Sequence, residues 1–121
     1  MKDFKLFLDL IRIKKPIGIM LLFWPCLWGL TLGNDFSNNN LKYLTYTAYF
    51  FLGSILMRSA GCIVNDILDR KYDILVDRTK NRPIASGKIS TKLGLIYVII
   101  LCFVAFLILI QFNLTTILLG L

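Results

Sequence analysis

Asn65-Asp66-Ile67-Leu68-Asp69-Arg70-Lys71-Tyr72-Asp73-Ile74-Leu75-Val76-Asp77-Arg78-Thr79-Lys80-Asn81-Arg82-Pro83 is a charged block set between two apolar runs. All seven acidic residues of the chain are aspartates, and Asp66, Asp69, Asp73 and Asp77 fall inside this block. Charge at that density cannot be left in hydrocarbon, so the block marks an edge of the apolar region. It is also where polar chemistry concentrates.

Outward from the block, the composition is that of a membrane protein. The chain is 57% hydrophobic with a mean hydropathy of +0.71. Its 121 residues can supply about three spans of roughly 20 residues each. The pattern predicts an all-α, multi-span transmembrane helical bundle forming a single membrane domain over 1–121. The spans fall at about 16–32, 41–64 and 93–110, and an apolar restart at 114–121 reads as the start of a fourth. Pro16 suits a first helical turn, whereas Pro25 lies inside the first span, where it removes a backbone hydrogen bond and predicts a kink. Trp24 and Trp28 are one turn apart, as interfacial anchors or pocket walls would be. The first apolar run has no small-residue cleavage pattern and reads as a retained span rather than a signal peptide.

The net charge of +7 does not point to nucleic acid, because the basic residues cluster at the edges of the apolar runs. Residues 1–15 hold Lys2, Lys5, Arg12, Lys14 and Lys15, with Phe4, Phe7, Leu8 and Ile11 at helical spacing. That is the pattern of an amphipathic helix lying at the interface, or of a basic flank that only sets orientation. Seven more basic residues lie between Asn65 and Lys92, whereas the polar turn from Gly33 to Asn40 has none. The asymmetry predicts that, in a bacterial inner membrane or its equivalent, the N-terminus and the aspartate-rich loop are cytoplasmic. Cys26, Cys62 and Cys102 are odd in number and sit in apolar segments, which argues for packing rather than a disulfide framework. There is no histidine, so any metal must be held by oxygen.

If the second helix runs on through the aspartates, Arg58, Asn65, Asp66, Asp69, Asp73 and Asp77 fall within an arc of roughly 120°. Carboxylates crowded on one stripe repel each other unless a cation neutralises them, and oxygen-only ligands suit Mg²⁺ or Ca²⁺. The alternative is a solvated helix end whose aspartates pair with Arg70, Lys71 and Arg78. Arg58, about two turns deeper than the aspartates, could meet an anion inside the membrane.

The order Asn65-Asp66-x-x-Asp69-Arg70-x-x-Asp73, then Asp77-Arg78-Thr79-x-x-Arg82-Pro83 and Ser86-Gly87, resembles the first aspartate-rich signature of the UbiA-type membrane prenyltransferases. Arg12-Ile13-Lys14-Lys15-Pro16-Ile17-Gly18, Trp24-Pro25, Trp28 and Met57-Arg58-x-Ala60-Gly61-Cys62 are similar to the subgroup that prenylates 4-hydroxybenzoate. The resemblance covers nearly the whole chain in order. It implies a fold of roughly nine helices in which two aspartate-rich motifs hold Mg²⁺ on a polyprenyl diphosphate. It further implies transfer of the polyprenyl group to the ring of 4-hydroxybenzoate, in ubiquinone biosynthesis. Carried over by position, Asn65, Asp69 and Asp73, with Asp66 close by, would be the metal site, and Asp66, Asp69 and Asp73 the catalytic aspartates. Arg78 and Lys80 would serve the diphosphate, and Arg12 and Arg58 the aromatic carboxylate or the diphosphate.

There is no Glu and no Asp after Asp77, so a second aspartate motif is absent from these residues. The expectation is the N-terminal part of such an enzyme, inactive by itself, with a C-terminal half as partner. The alternative is a non-catalytic membrane remnant that keeps one metal-diphosphate motif. The phosphatidyl-alcohol type of membrane transferase is not matched, because Asp66 is followed by Ile67.

Overall fold

The computed structural model describes residues 2–33 and 40–120, with side chains from Phe4 onward. Among the described residues the chain is helix and turn with no strand. The elements are α1 (Lys2–Leu10), α2 (Ile17–Gly33), α3 (Asn40–Leu68), α4 (Arg70–Asp73), α5 (Thr91–Leu109) and α6 (Leu114–Gly120). Most of the basic-poor turn expected over 33–40 lies outside the described residues, as does Leu121.

α3 is the axis of the bundle, packed against α2 and α5. Its 29 residues make a rod of about 44 Å, longer than a bilayer core of about 30 Å, so one end must stand clear of hydrocarbon. α3 and the 19-residue α5 are each long and apolar enough to cross a membrane, whereas α2 is apolar but shorter at 17 residues. Buried Ser54 and Ser59 donate to the Phe50 and Ile55 carbonyls at 2.7 Å, so their hydroxyls are satisfied within the helix. The outer face of α5 is left uncovered, with Ile99 and Phe103 each 60% exposed. Such a surface is costly in water and matched by lipid.

Local sequence explains the helix ends. Pro16 stands before α2, its carbonyl accepting from Ile19 and Met20 at 2.9 and 3.0 Å, and the helix then continues through Pro25. Ser90 caps α5 by accepting from the Leu93 N–H at 3.2 Å. Early in α5, Gly94 is buried, and a Cβ there would stand 3.1 Å from Ile84 and 3.4 Å from Ile67. Its missing side chain lets α5 close on the end of α3 and on the loop between them.

The buried core lies at this end of the bundle. Leu10 and Ile11 of the N-terminal segment meet Ile63 of α3 and Ile84 and Ile89 of the loop. Phe7 packs edge-on against Tyr97 of α5, ring centres 5.0 Å apart. α1 is amphipathic as its spacing suggests: Phe7 and Leu8 pack on the core and Ile11 is buried in it, joined by Leu6 and Leu10, whereas Phe4 turns outward at 67% exposure. The loop between α4 and α5 is therefore seated on the core. Gly87, at φ +73°, supplies the left-handed residue that turns it back, and the Ile89 N–H reaches the Pro83 carbonyl at 3.0 Å.

Candidate functional site

The aspartates do not share one uninterrupted helix. α3 stops at Leu68, and Asp69 sits at φ −83°, ψ 0°, the flattened backbone of a turn rather than of a helix interior. The track resumes for one short helix because the Asp69 carbonyl accepts from Asp73 at 2.8 Å. Asp77 then falls among turns and pairs with Lys80 at 2.8 Å on the surface. Aspartate's weak helix preference suits this break.

The break sorts the aspartates into two environments. Asp66 is 1% exposed and Asp73 is 7% exposed, whereas Asn65 and Asp69 are open to solvent. Both buried carboxylates accept from one Nη1 of Arg82, at 3.3 Å for Asp66 and 2.7 Å for Asp73. Arg12 donates to the same Asp66 oxygen from the opposite direction in sequence, 54 residues away. The result is a chain of alternating charge, Arg12–Asp66–Arg82–Asp73, with no net charge. Carboxylates this buried are tolerated only when paired and hydrogen-bonded. Thr79, also buried, donates to the Asp73 carbonyl at 3.0 Å and pins the loop that carries Arg82.

Arg12 reaches Asp66 from an unusual backbone. α1 ends in a Schellman turn: the Arg12 N–H bonds the Asp9 carbonyl at 3.3 Å and the Ile13 N–H bonds the Leu8 carbonyl at 3.4 Å. The residue after the cap is then left-handed, and here it is Arg12, at φ 55°. Glycine is the usual occupant, since a Cβ in this conformation costs about 1–2 kcal/mol. The same turn that would prefer glycine aims an arginine at the buried carboxylate.

Of the other expected site residues, Arg78 lines a cleft of about 560 Å³ together with Arg12, Lys14, Lys15 and Arg82, with Asp9 its one acidic lining residue. The cleft lies between the N-terminal segment and the loop that follows α4, and it is strongly cationic. Lys80 does not line it and is held by Asp77. Arg58 lies on α3 about 12 Å deeper than Asp66. It rests over Gly18 of α2, where a Cβ would overlap the guanidinium, 2.8 Å from its Cζ. Among the described residues no carboxylate pairs with it.

Sequence reading missed Arg82 as a site residue. It sits nine positions past Asp73, in a loop with no periodicity, so only its place in the quoted Arg82-Pro83 stretch marked it. A second cleft, of about 440 Å³, is apolar and is lined by Cys26, Tyr49, Gly53, Met57, Cys102 and Phe112 among others. Its α3 residues Gly53 and Met57 lie roughly 13–20 Å deeper than Asp66.

Among the described residues no three acidic or cysteine side chains converge on one point, so no complete metal cage is present. The exposed donors nevertheless suit a hard cation. Asn65 and Asp69 are one turn apart, since the Asp69 N–H bonds the Asn65 carbonyl at 2.8 Å, and both offer free oxygens. Mg²⁺ asks for one or two carboxylates and takes its remaining ligands from water and phosphate.

The sequence profile of the UbiA prenyltransferase family matches residues 22–121. A 4-hydroxybenzoate octaprenyltransferase of Nitrosomonas eutropha is 48% identical over 117 residues, 97% of this chain and 40% of the relative's length. One from Neisseria meningitidis is 46% identical over 88% of this chain and 35% of its own. One from Nitrosomonas europaea is 48% identical over 89% of this chain and 36% of its own. The chain thus spans about two-fifths or less of the length of these curated relatives. No solved structure matches it. On a profile that covers most of its length, the chain belongs to the UbiA prenyltransferase family.

Proposed function

We propose that this chain provides the diphosphate-handling part of an enzyme that transfers a polyprenyl group from polyprenyl diphosphate to the ring of 4-hydroxybenzoate, a step of ubiquinone biosynthesis. One observation carries the reading: a cationic cleft and two exposed oxygen donors flank the Arg12–Asp66–Arg82–Asp73 chain at the aspartate end of the long α3. The names of the relatives, at 46–48% identity, supply the substrates.

Asn65 and Asp69, the two exposed donors, would hold Mg²⁺, while Asp73 stays on Arg82. When bound, the metal supplies positive charge against the leaving diphosphate. Arg78, Lys14 and Lys15 add positive charge from the wall of the cleft, and Arg12 and Arg82 add N–H donors held by Asp66 and Asp73, which favours departure of the diphosphate as the allylic C–O bond breaks toward a carbocation. The electron-rich ring carbon ortho to the hydroxyl of 4-hydroxybenzoate then forms the new C–C bond, and that carbon loses its proton. Arg58 is the candidate for the carboxylate of the aromatic acid. The apolar cleft along α3 suits the isoprenoid tail and keeps water from the cation.

In this reading α2, α3 and α5 span the membrane with the aspartate end and the N-terminus cytoplasmic, a placement supported by the excess of Lys and Arg around that end. A second aspartate motif and the remaining cavity helices would come from a C-terminal half. Residues 1–121 alone are then inert. Membranes carrying the full-length gene product are expected to prenylate 4-hydroxybenzoate, and EDTA should stop the reaction. Turnover by the 121 residues alone, or turnover indifferent to EDTA, contradicts the proposal.

A further inference from the structure

We infer that Asp66 is a positioning residue for two guanidinium groups and that it does not ligate the metal; this rests on the functional reading above. The four acidic or amide side chains from Asn65 to Asp73 are not equivalent. Asn65 and Asp69 are exposed, but Asp66 is 1% exposed and one of its oxygens already accepts from two arginines. A carboxylate in that state has neither the access nor the free charge to take a cation. A metal in its place would have to displace two guanidiniums from a site that solvent barely reaches.

The geometry gives Asp66 a different task. Arg12 and Arg82 come from segments 70 residues apart, the turn after α1 and the loop after α4, and both line the cationic cleft. Two guanidiniums brought so close repel each other. The buried carboxylate between them removes that repulsion and fixes where each fork points. Each arginine is about a quarter exposed, so part of its donor set still faces the cleft. Arg12 keeps a left-handed backbone in order to make the contact. The arrangement is a preorganised pair of donors whose spacing is set from behind by Asp66 and, for Arg82, also by Asp73. The ligand it takes is a doubly charged phosphate-type anion, which bidentate guanidiniums fit.

The test separates the metal from the anion by binding measurements on the full-length protein in detergent. Mn²⁺ replaces Mg²⁺ and is followed by electron paramagnetic resonance without anion; inorganic diphosphate is titrated calorimetrically in EDTA. Asp66→Asn is expected to weaken diphosphate binding by about tenfold or more, the scale of one charge-assisted hydrogen bond, and to leave Mn²⁺ binding within about twofold. Asp69→Asn should do the reverse. Should Asp66→Asn fail to fold, Arg12→Gln leaves Asp66 on Arg82 and is expected to lower diphosphate affinity alone. Loss of Mn²⁺ binding in Asp66→Asn to the extent seen in Asp69→Asn overturns the inference but leaves the functional reading standing. Unchanged diphosphate affinity in Arg12→Gln also overturns it. A wild-type protein that binds neither probe removes the functional reading and the inference together.

Discussion

Arg12 is the residue at which two requirements meet and conflict. The Schellman turn after α1 prefers glycine, yet the ion pair with Asp66 needs a long cationic side chain. Leaving a buried charge unpaired costs about 3–5 kcal/mol, but Arg82 stays on Asp66 when Arg12 is lost, so the pair is worth less than that and is set against about 1–2 kcal/mol for the left-handed backbone. Arg12→Ala loses the pair and keeps the strained backbone. Arg12→Gly loses the pair but relieves the strain. Chemical denaturation in detergent should find both variants destabilised, with Arg12→Gly the more stable of the two by about 1 kcal/mol. Equal stabilities would mean that the φ of 55° carries no cost here.

At the scale of elements, the seam between α2 and α3 holds a berth for one arginine side chain. Gly18 leaves room for the guanidinium of Arg58, an isolated cation on a helix that otherwise reads as a span. The atoms a Cβ would meet are the far end of a flexible chain. Gly18→Ala is thus expected to move Arg58 rather than to force the helices apart, changing stability by less than about 1 kcal/mol. If Arg58 holds the acid's carboxylate, the same variant should raise KM for 4-hydroxybenzoate by about tenfold while KM for the prenyl diphosphate is unmoved. A rise in both, or a collapse of stability, would show that Gly18 serves helix packing instead. The helices themselves were legible in the sequence, since a bilayer admits long apolar segments and almost nothing else. The Pro16 start followed from a local rule. The bend at Asp69 did not, because an unbroken helix through Asn65–Asp77 satisfies the same spacing. Nor did the berth on Gly18, which joins residues 40 apart in sequence.

Across the whole molecule, polar and apolar functions are segregated along α3. Its middle lines an apolar cleft with α2 and α5, and its end meets the amphipathic α1 and the folded loop in a small core. That core is what allows a buried ion chain to exist at a membrane edge: Leu10, Ile63 and Ile84, each 0% exposed, fix the three segments that carry Arg12, Asp66 and Arg82. The aspartate block announced a charged site, but its division into buried and exposed members could not be read from spacing. Burial there is set by Arg12 and Arg82, which arrive from distant parts of the chain. The most direct measurement of the central claim is Mg²⁺-dependent prenylation of 4-hydroxybenzoate by the full-length protein and its Asp69→Ala variant. The account predicts that the variant loses activity by about 10²-fold or more at fixed Mg²⁺, with its remaining turnover needing more metal for half-maximal rate. A variant that prenylates at the wild-type rate, with the same Mg²⁺ dependence, would contradict it.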